Sequence, residues 1–182
     1  MMNNKPRVFA VLSFIALALL TRIYLFPVHG YSPIDAIAIF SGAYFGRKWL
    51  AFLCPLLAVW ISDQIVNLQF YHKIVPFYDG FYWQYGSYIL MVVLASVIIK
   101  KPKVATVGGM AITSALLFFI ISNFGVWAGG MIYPMNAGGL TACYIAGLPY
   151  LNSAILSDLI YCGLLFGGFE LLKYRFPVLA KA

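Results

Sequence analysis

Six apolar runs whose alternate ends carry lysine or arginine leave this chain few ways to fold. The runs are Val8 to Phe26, Pro33 to Phe45, Trp49 to Phe70, Phe81 to Ile99, Val104 to Ala128 and Ser153 to Leu172. A helix needs about 20 apolar residues to cross a hydrocarbon core of about 30 Å, and most of these runs reach that length. Lys5 and Arg7 precede the first run, and Arg47 and Lys48 separate the second from the third. Lys100, Lys101 and Lys103 separate the fourth from the fifth, and Lys173, Arg175 and Lys181 follow the sixth. Short cytoplasmic loops collect lysine and arginine, so all four groups share that side only if the chain crosses an even number of times. The expectation is an all-α integral membrane protein: one domain over residues 1–182 with six transmembrane helices and both termini in the cytoplasm.

The second run is the short one, reaching only about 20 Å at about 1.5 Å per residue. Omitting it would place Arg47 and Lys48 on the outer side, against the charge bias, so it is read as a short crossing. Ser32 as N-cap, Pro33 at the first helical position and Asp35 three residues on form an S-x-x-D capping box, which assigns Asp35 to a helix cap.

With 63% hydrophobic and 9% charged residues the chain is no soluble globular domain. A net charge of +7 would suggest nucleic acid in a soluble protein. Here the cytoplasmic bias accounts for it, and no nucleic-acid partner is expected. The first run is long for the core of a signal peptide, and Leu25-Phe26-Pro27 offers no small-residue cleavage site, so the first helix is expected to stay. Cys54, Cys143 and Cys162 lack metal or redox spacing and read as structural; Cys143 alone is placed, in the last outer loop, to meet a ligand.

The unusual residues lie on the outer face. His29 sits in the first outer loop, and a dense aromatic stretch from Tyr71 to Tyr85 holds Tyr78, Trp83 and Tyr85. A final loop from about Gly129 to Asn152 holds Tyr133, with Trp127 just before it. Aromatic residues form anchoring belts at membrane interfaces, yet they also wall small-molecule pockets, and their density here fits a lid over an outward-facing pocket. Charges inside apolar runs are costly and mark functional candidates. They are Arg22, Asp63 and Asp158, at one depth by the expected topology, with Asp158 within two turns of the outer start of helix six. Asn67, Gln64, Asn123 and Ser157 lie near that depth. One reading pairs Arg22 with an aspartate to hold the bundle together; the other makes these residues the polar floor of the pocket, with a surplus acceptor for a donor on the ligand. Glycines spaced by four, Gly42 with Gly46, Gly125 with Gly129 and Gly163 with Gly167, are expected at helix contacts. Ile61-Ser62-Asp63-Gln64-Ile65 is echoed by Leu156-Ser157-Asp158-Leu159-Ile160 three helices later.

No Walker A sequence, G-x-S-x-G elbow or H-E-x-x-H pair is present. The expected function is therefore binding without catalysis, with no metal site and no bound cofactor. Several stretches then carry a resemblance: Ser32 to Phe45, Trp60-Ile61-Ser62-Asp63, Ser122 to Trp127 with Tyr133-Pro134, and Gly139 to Tyr144 through Ser157-Asp158. They resemble an uncharacterised bacterial membrane family related to the substrate-binding S components of energy-coupling factor (ECF) transporters. The resemblance implies a multi-pass protein of the bacterial cytoplasmic membrane that takes up a vitamin-sized molecule. It also implies, as partner, an ECF energising module of a scaffold and two ATPases, or solitary action. Helix one has Ala16 and Ala18 but lacks the A-x-x-x-A stripe with which such components meet the scaffold. A corrinoid, with His29, His72 or Cys143 as axial ligand, is one transported ligand of this class; riboflavin, thiamine, biotin and a queuosine precursor are others. Two further readings stay open: a membrane enzyme with Asp63 and Asp158 as acid and base, and a subunit that binds another protein.

Overall fold

The computed structural model describes residues 5–29 and 31–180, with residues 24–29 described by their backbone alone. Six α-helices follow one another: α1 Lys5–His29, α2 Ile34–Tyr44, α3 Lys48–Tyr71, α4 Phe81–Ile98, α5 Val104–Ala128 and α6 Ala137–Arg175, with a 3-10 turn at Pro177–Leu179. No strand occurs among the described residues. All the long helices, five of them, have the length and apolar character of membrane spans; α2, with 11 residues, is shorter. Large apolar side chains such as Leu20, Leu53, Val97, Leu116 and Leu164 face outwards. In water so much exposed apolar surface would drive association, whereas hydrocarbon meets it at no cost.

Cross-helix contacts fix the direction of each helix. At one end, Phe14 of α1 lies 6.2 Å from Phe40 of α2 and 6.0 Å from Phe169 of α6, ring to ring. Towards the other end, Arg22 meets Ser62 and Asp63 of α3, Ser32 meets Ser157 of α6, and Ser114 of α5 meets Asp158. Successive helices therefore run in alternating directions. The pattern brings Arg7, Arg47, Lys48, Lys100, Lys101, Lys103, Lys173 and Arg175 to a single end of the bundle. There Tyr44 donates to Glu170, Lys173 pairs with Glu170 at 2.8 Å, and Arg7 stands 6.0 Å from the Tyr44 ring.

The short helix α2 is the axis. It touches each of the other five helices, and all but one of its residues are buried. A helix buried on every side has no polar face to show, which is why its sequence is apolar but for Asp35, Ser41 and the Tyr44 hydroxyl. Gly42 makes the close crossing with α4: a Cβ there would stand 2.5 Å from the Val92 carbonyl oxygen. Gly125 takes the Trp83 ring of α4 in the same way. Their expected partners Gly46 and Gly129, and the pair Gly163 and Gly167, make no such close approach to another helix. Small-xxx-small spacing thus marks a helix contact at only one member of two pairs and at neither member of the third.

The largest departure is α6. Residues Gly129 to Asn152 are not a loop: a short connection ends at Asn136, whose side chain caps the new helix by accepting from the Gly139 amide at 2.8 Å. The helix then runs 39 residues, through Pro149, for about 58 Å at about 1.5 Å per residue. Asp158 accordingly sits about six turns into α6, not within two turns of its start. Only half of the capping box at Ser32 forms: Ser32 Oγ accepts from the Ile34 amide at 3.4 Å, while the Ser32 amide goes to Ser157 and not to Asp35. Pro33 occupies the N-cap with no side-chain bond, and Asp35 in the first turn is left for another role.

Candidate functional site

A cavity of about 380 Å³ opens in the half of the bundle away from the basic end, enclosed by α1, α2, α4, α5 and α6. Asp35 and Asp158 form its floor with Arg22, Ser32 and Ser157; Tyr88, Phe118, Phe119 and Leu151 give the walls; Gln84, Ser122, Asn123 and Tyr150 stand towards the rim. Cavities that hold small molecules occupy about 300–1,000 Å³, mostly apolar with a few placed polar groups. At the rim α5 and α6 close on each other through Gly147, where a Cβ would lie 2.5 Å from Asn123 Oδ1.

The charged groups divide into two sets. Arg22 of α1 reaches α3, with Nη2 2.8 Å from Asp63 Oδ1 and Nη1 donating to Ser62 Oγ. Asp63 is thereby cancelled, and it does not line the cavity. The second set shares that one cation, since Arg22 also lines the cavity and its charge acts on Asp35. Asp158, 1% exposed, accepts from Ser114 Oγ at 3.0 Å, and its carboxyl group is the hydrogen-bond neighbour of the Asp35 carboxyl. Ser157 braces the floor by accepting from the Ser32 amide at 3.1 Å and donating to the Ser32 carbonyl at 2.9 Å. Asp35, read from sequence as a cap, is thus a cavity residue. The cause is burial: the first turn of α2 faces protein, and its carboxylate turns to the second aspartate.

Of the residues singled out in the sequence, Arg22, Asn123 and Asp158 line the cavity, and Asp63 anchors Arg22 from behind. Asn67 lies farther along α3 and does not line it. Trp83, Tyr85 and Trp127 belong instead to a ladder of rings along the ends of α4 and α5 that lie away from the basic end. Phe81 lies 5.6 Å from Tyr85, Trp83 lies 5.2 Å from Phe124, and Phe124 lies 5.5 Å from Trp127. The Trp127 indole donates to the Pro134 carbonyl at 3.1 Å, while Tyr133 beside it is half-buried away from the cavity. The aromatic stretch is in part helix, because α4 begins at Phe81; its true loop, residues 72–80, bears Tyr78. The Tyr78 hydroxyl donates to Gln84 Oε1, and Gln84 Nε2 donates to Tyr88 at 3.0 Å, so the loop is latched to the cavity wall through one glutamine. Burial first, then the Asp63 and Tyr85 charges, push the Tyr78 hydroxyl above its ordinary range, against an opposing pull from Arg22. The side chain of His29 lies outside the described residues. Cys143 donates to the Asn123 carbonyl at 3.3 Å behind the wall and does not reach the cavity.

Sequence reasoning missed Asp35, Gln84, Tyr88 and Ser114. Asp35 carried a usable signal, a carboxylate bordering an apolar run, which the capping pattern masked. Gln84 was hidden among aromatic neighbours, and Tyr88 and Ser114 look like ordinary helix interior. Among the described residues no three His, Cys, Asp or Glu side chains converge to hold a metal ion.

The chain belongs to the DUF6580 family. This family of unknown function matches residues 2–179, nearly the whole chain. No curated protein and no solved structure matches it.

Proposed function

We propose that this chain is a substrate-binding membrane subunit, similar to the S component of an ECF transporter, that takes a vitamin-sized molecule from outside a bacterial cytoplasmic membrane. It crosses six times, α2 included, with both termini and the basic end in the cytoplasm. That orientation follows from the cytoplasmic preference of lysine and arginine. The carrying observation is the 380 Å³ cavity, floored by buried aspartates and set opposite the basic end. Among the proposed ligands the smaller vitamins fit best: neither His72 nor Cys143 lines the cavity to offer a corrinoid an axial donor.

Mass spectrometry of what co-purifies with the detergent-solubilised chain, followed by titration, tests the proposal. A compound of vitamin size that binds to the wild type and is excluded by Ala154→Trp, in the cavity wall, is expected. A purified chain that binds no small molecule overturns it. Co-purification of a scaffold and two ATPases assigns the chain to an energising module; their absence assigns solitary action. Labelling adds a check of topology, with Lys101 and Tyr82 expected on opposite sides of the membrane.

One observation favours a second reading, an enzyme of the membrane interior. Two carboxyl groups in mutual hydrogen-bond contact are a general acid and base in waiting. The pair is Asp35 with Asp158, since Asp63 is committed to Arg22. Chemical change of the bound compound on incubation would favour catalysis; recovery unchanged favours transport.

A further inference from the structure

The cavity's charge does not balance, and the imbalance names a ligand class. Arg22 and Asp63 form a neutral pair. Asp35 and Asp158 remain, both more than nine-tenths buried, on the cavity floor. A hydrogen bond between two carboxyl groups needs at least one proton between them, because an ionised carboxylate only accepts. A pair that shares a single proton keeps one negative charge.

The groups that face this floor were considered helix by helix. Arg22 from α1, bonded to Ser62 and Asp63 of α3, also acts on Asp35, but its single charge is matched by Asp63. Tyr88 from α4 accepts from Gln84, α5 contributes the neutral Ser114, and α6 adds Ser157 and the Cys162 thiol. None of them supplies a second cation. Towards the rim Asn123 Nδ2 donates to the Phe119 carbonyl at 2.8 Å and Ser122 to the Phe118 carbonyl at 2.6 Å, which leaves the neutral Tyr150 hydroxyl there. The charged binding capacity is therefore at the floor. Above it stand flat rings, with Tyr88 and Phe118 stacked at 5.7 Å. A cation among aromatic faces gains from their quadrupoles as well as from the carboxylate.

We propose that the cavity selects a monocationic ligand, a protonated amine on a flat aromatic or heterocyclic body, with its ammonium on the Asp35 and Asp158 pair. This rests on reading the cavity as the substrate site. The cation completes a neutral site that is otherwise one charge short, deep in a medium where unbalanced charge is expensive. A carboxylate ligand would add a second negative charge and is rejected. The pair also makes an unusual prediction for its own variants. Asp35→Asn or Asp158→Asn alone replaces the protonated partner by an amide and leaves one carboxylate, so the charge that attracts the ligand survives. Only the double variant removes it.

The test is affinity selection by the purified full chain from a library of small aromatic compounds in shape-matched triplets ending in ammonium, carboxamide or carboxylate, such as tryptamine, indole-3-propionamide and indole-3-propionate. Ammonium members are expected to be retained at least tenfold over their neutral and anionic partners. Each single Asn variant should lose less than tenfold, and the double variant at least tenfold more than either single. Retention of neutral or anionic members, lost in Ala154→Trp, overturns the charge assignment and leaves the cavity reading standing. No retention of any member overturns both. If the double variant fails to fold, preference within the triplets on the wild-type chain decides alone. Ammonium retention that persists in a folded double variant also overturns the assignment.

Discussion

Two Ser-Asp pairs occupy matching places in this bundle and do different work. In Ser62-Asp63 of α3 both side chains receive Arg22, so the aspartate is neutralised where it stands. In Ser157-Asp158 of α6 the serine clamps the entry to α2 at Ser32, while the aspartate faces a second carboxyl and open volume. The same dipeptide is a brace in one helix and a cavity floor in the other. The difference lies in the partner, one guanidinium on α1 having been spent on α3. A buried carboxylate is therefore assigned by counting the charges around it and not by its residue type.

Removing the guanidinium attacks the comparison at its base. Arg22→Met leaves Asp63 half-buried without its cation, and such a loss costs about 3–5 kcal/mol. Thermal unfolding of the purified variant should show it, and Arg22→Met with Asp63→Leu should recover most of the loss. A single variant as stable as the wild type would mean that α1 and α3 are not held by this pair. Next in size is Ser157→Ala, which strands the Ser32 amide and carbonyl and should cost about 1–3 kcal/mol by the same measurement. An unchanged melting curve would mean that water replaces the hydroxyl, and the floor of the cavity would then be wetter and looser than drawn above.

These contrasts were only partly legible in the sequence. Helix α5 was placed to the residue, and α1 to α4 to within a few, because hydropathy and basic residues report where the chain enters and leaves hydrocarbon. Helix α6 was cut short because hydropathy measures apolar length and not helix length. Gly138, Gly139, Pro149 and Asn152 look like loop, yet Asn136 starts a helix that continues through all four. At the site, the cost of burying charge found Arg22, Asp63 and Asp158, but which aspartate the arginine takes is set by packing. The direction of the aromatic side chains is illegible for a related reason. Composition counts rings but not their direction, and Trp83 turns to Gly125 while Trp127 turns to Phe124.

A smaller effect tests how the brace side reaches the loop. Tyr78→Phe removes the latch to Gln84 and should cost about 0.5–1.5 kcal/mol, read as faster proteolysis between residues 72 and 80. The latch should also fail in alkali, and the sign follows from linkage. The folded Tyr78 keeps its proton above the unfolded value of 10.0, so its stabilisation is whole below that pH and fades as pH rises beyond it. Cleavage of the wild type should therefore accelerate above about pH 10, the ordinary range for tyrosine, while Tyr78→Phe shows no such step. A step of equal size in the variant would place the alkaline transition elsewhere.

The smallest expected change in stability is the sharpest discriminator. Asp158→Asn keeps an acceptor for Ser114, offers Asp35 an amide donor, and should shift unfolding by less than about 1 kcal/mol. Asp63→Asn is chemically the same substitution four helix turns along another helix, but it leaves Arg22 charged and buried, with an expected loss several times larger. Measured side by side, the two variants compare the same one-atom exchange against a cation and against a shared proton. Equal losses would mean that Asp158 is ionised and cation-paired as Asp63 is. A large loss at Asp63 with almost none at Asp158 would leave the α6 aspartate free to serve a ligand, since a group the fold does not need for stability is one that function has kept.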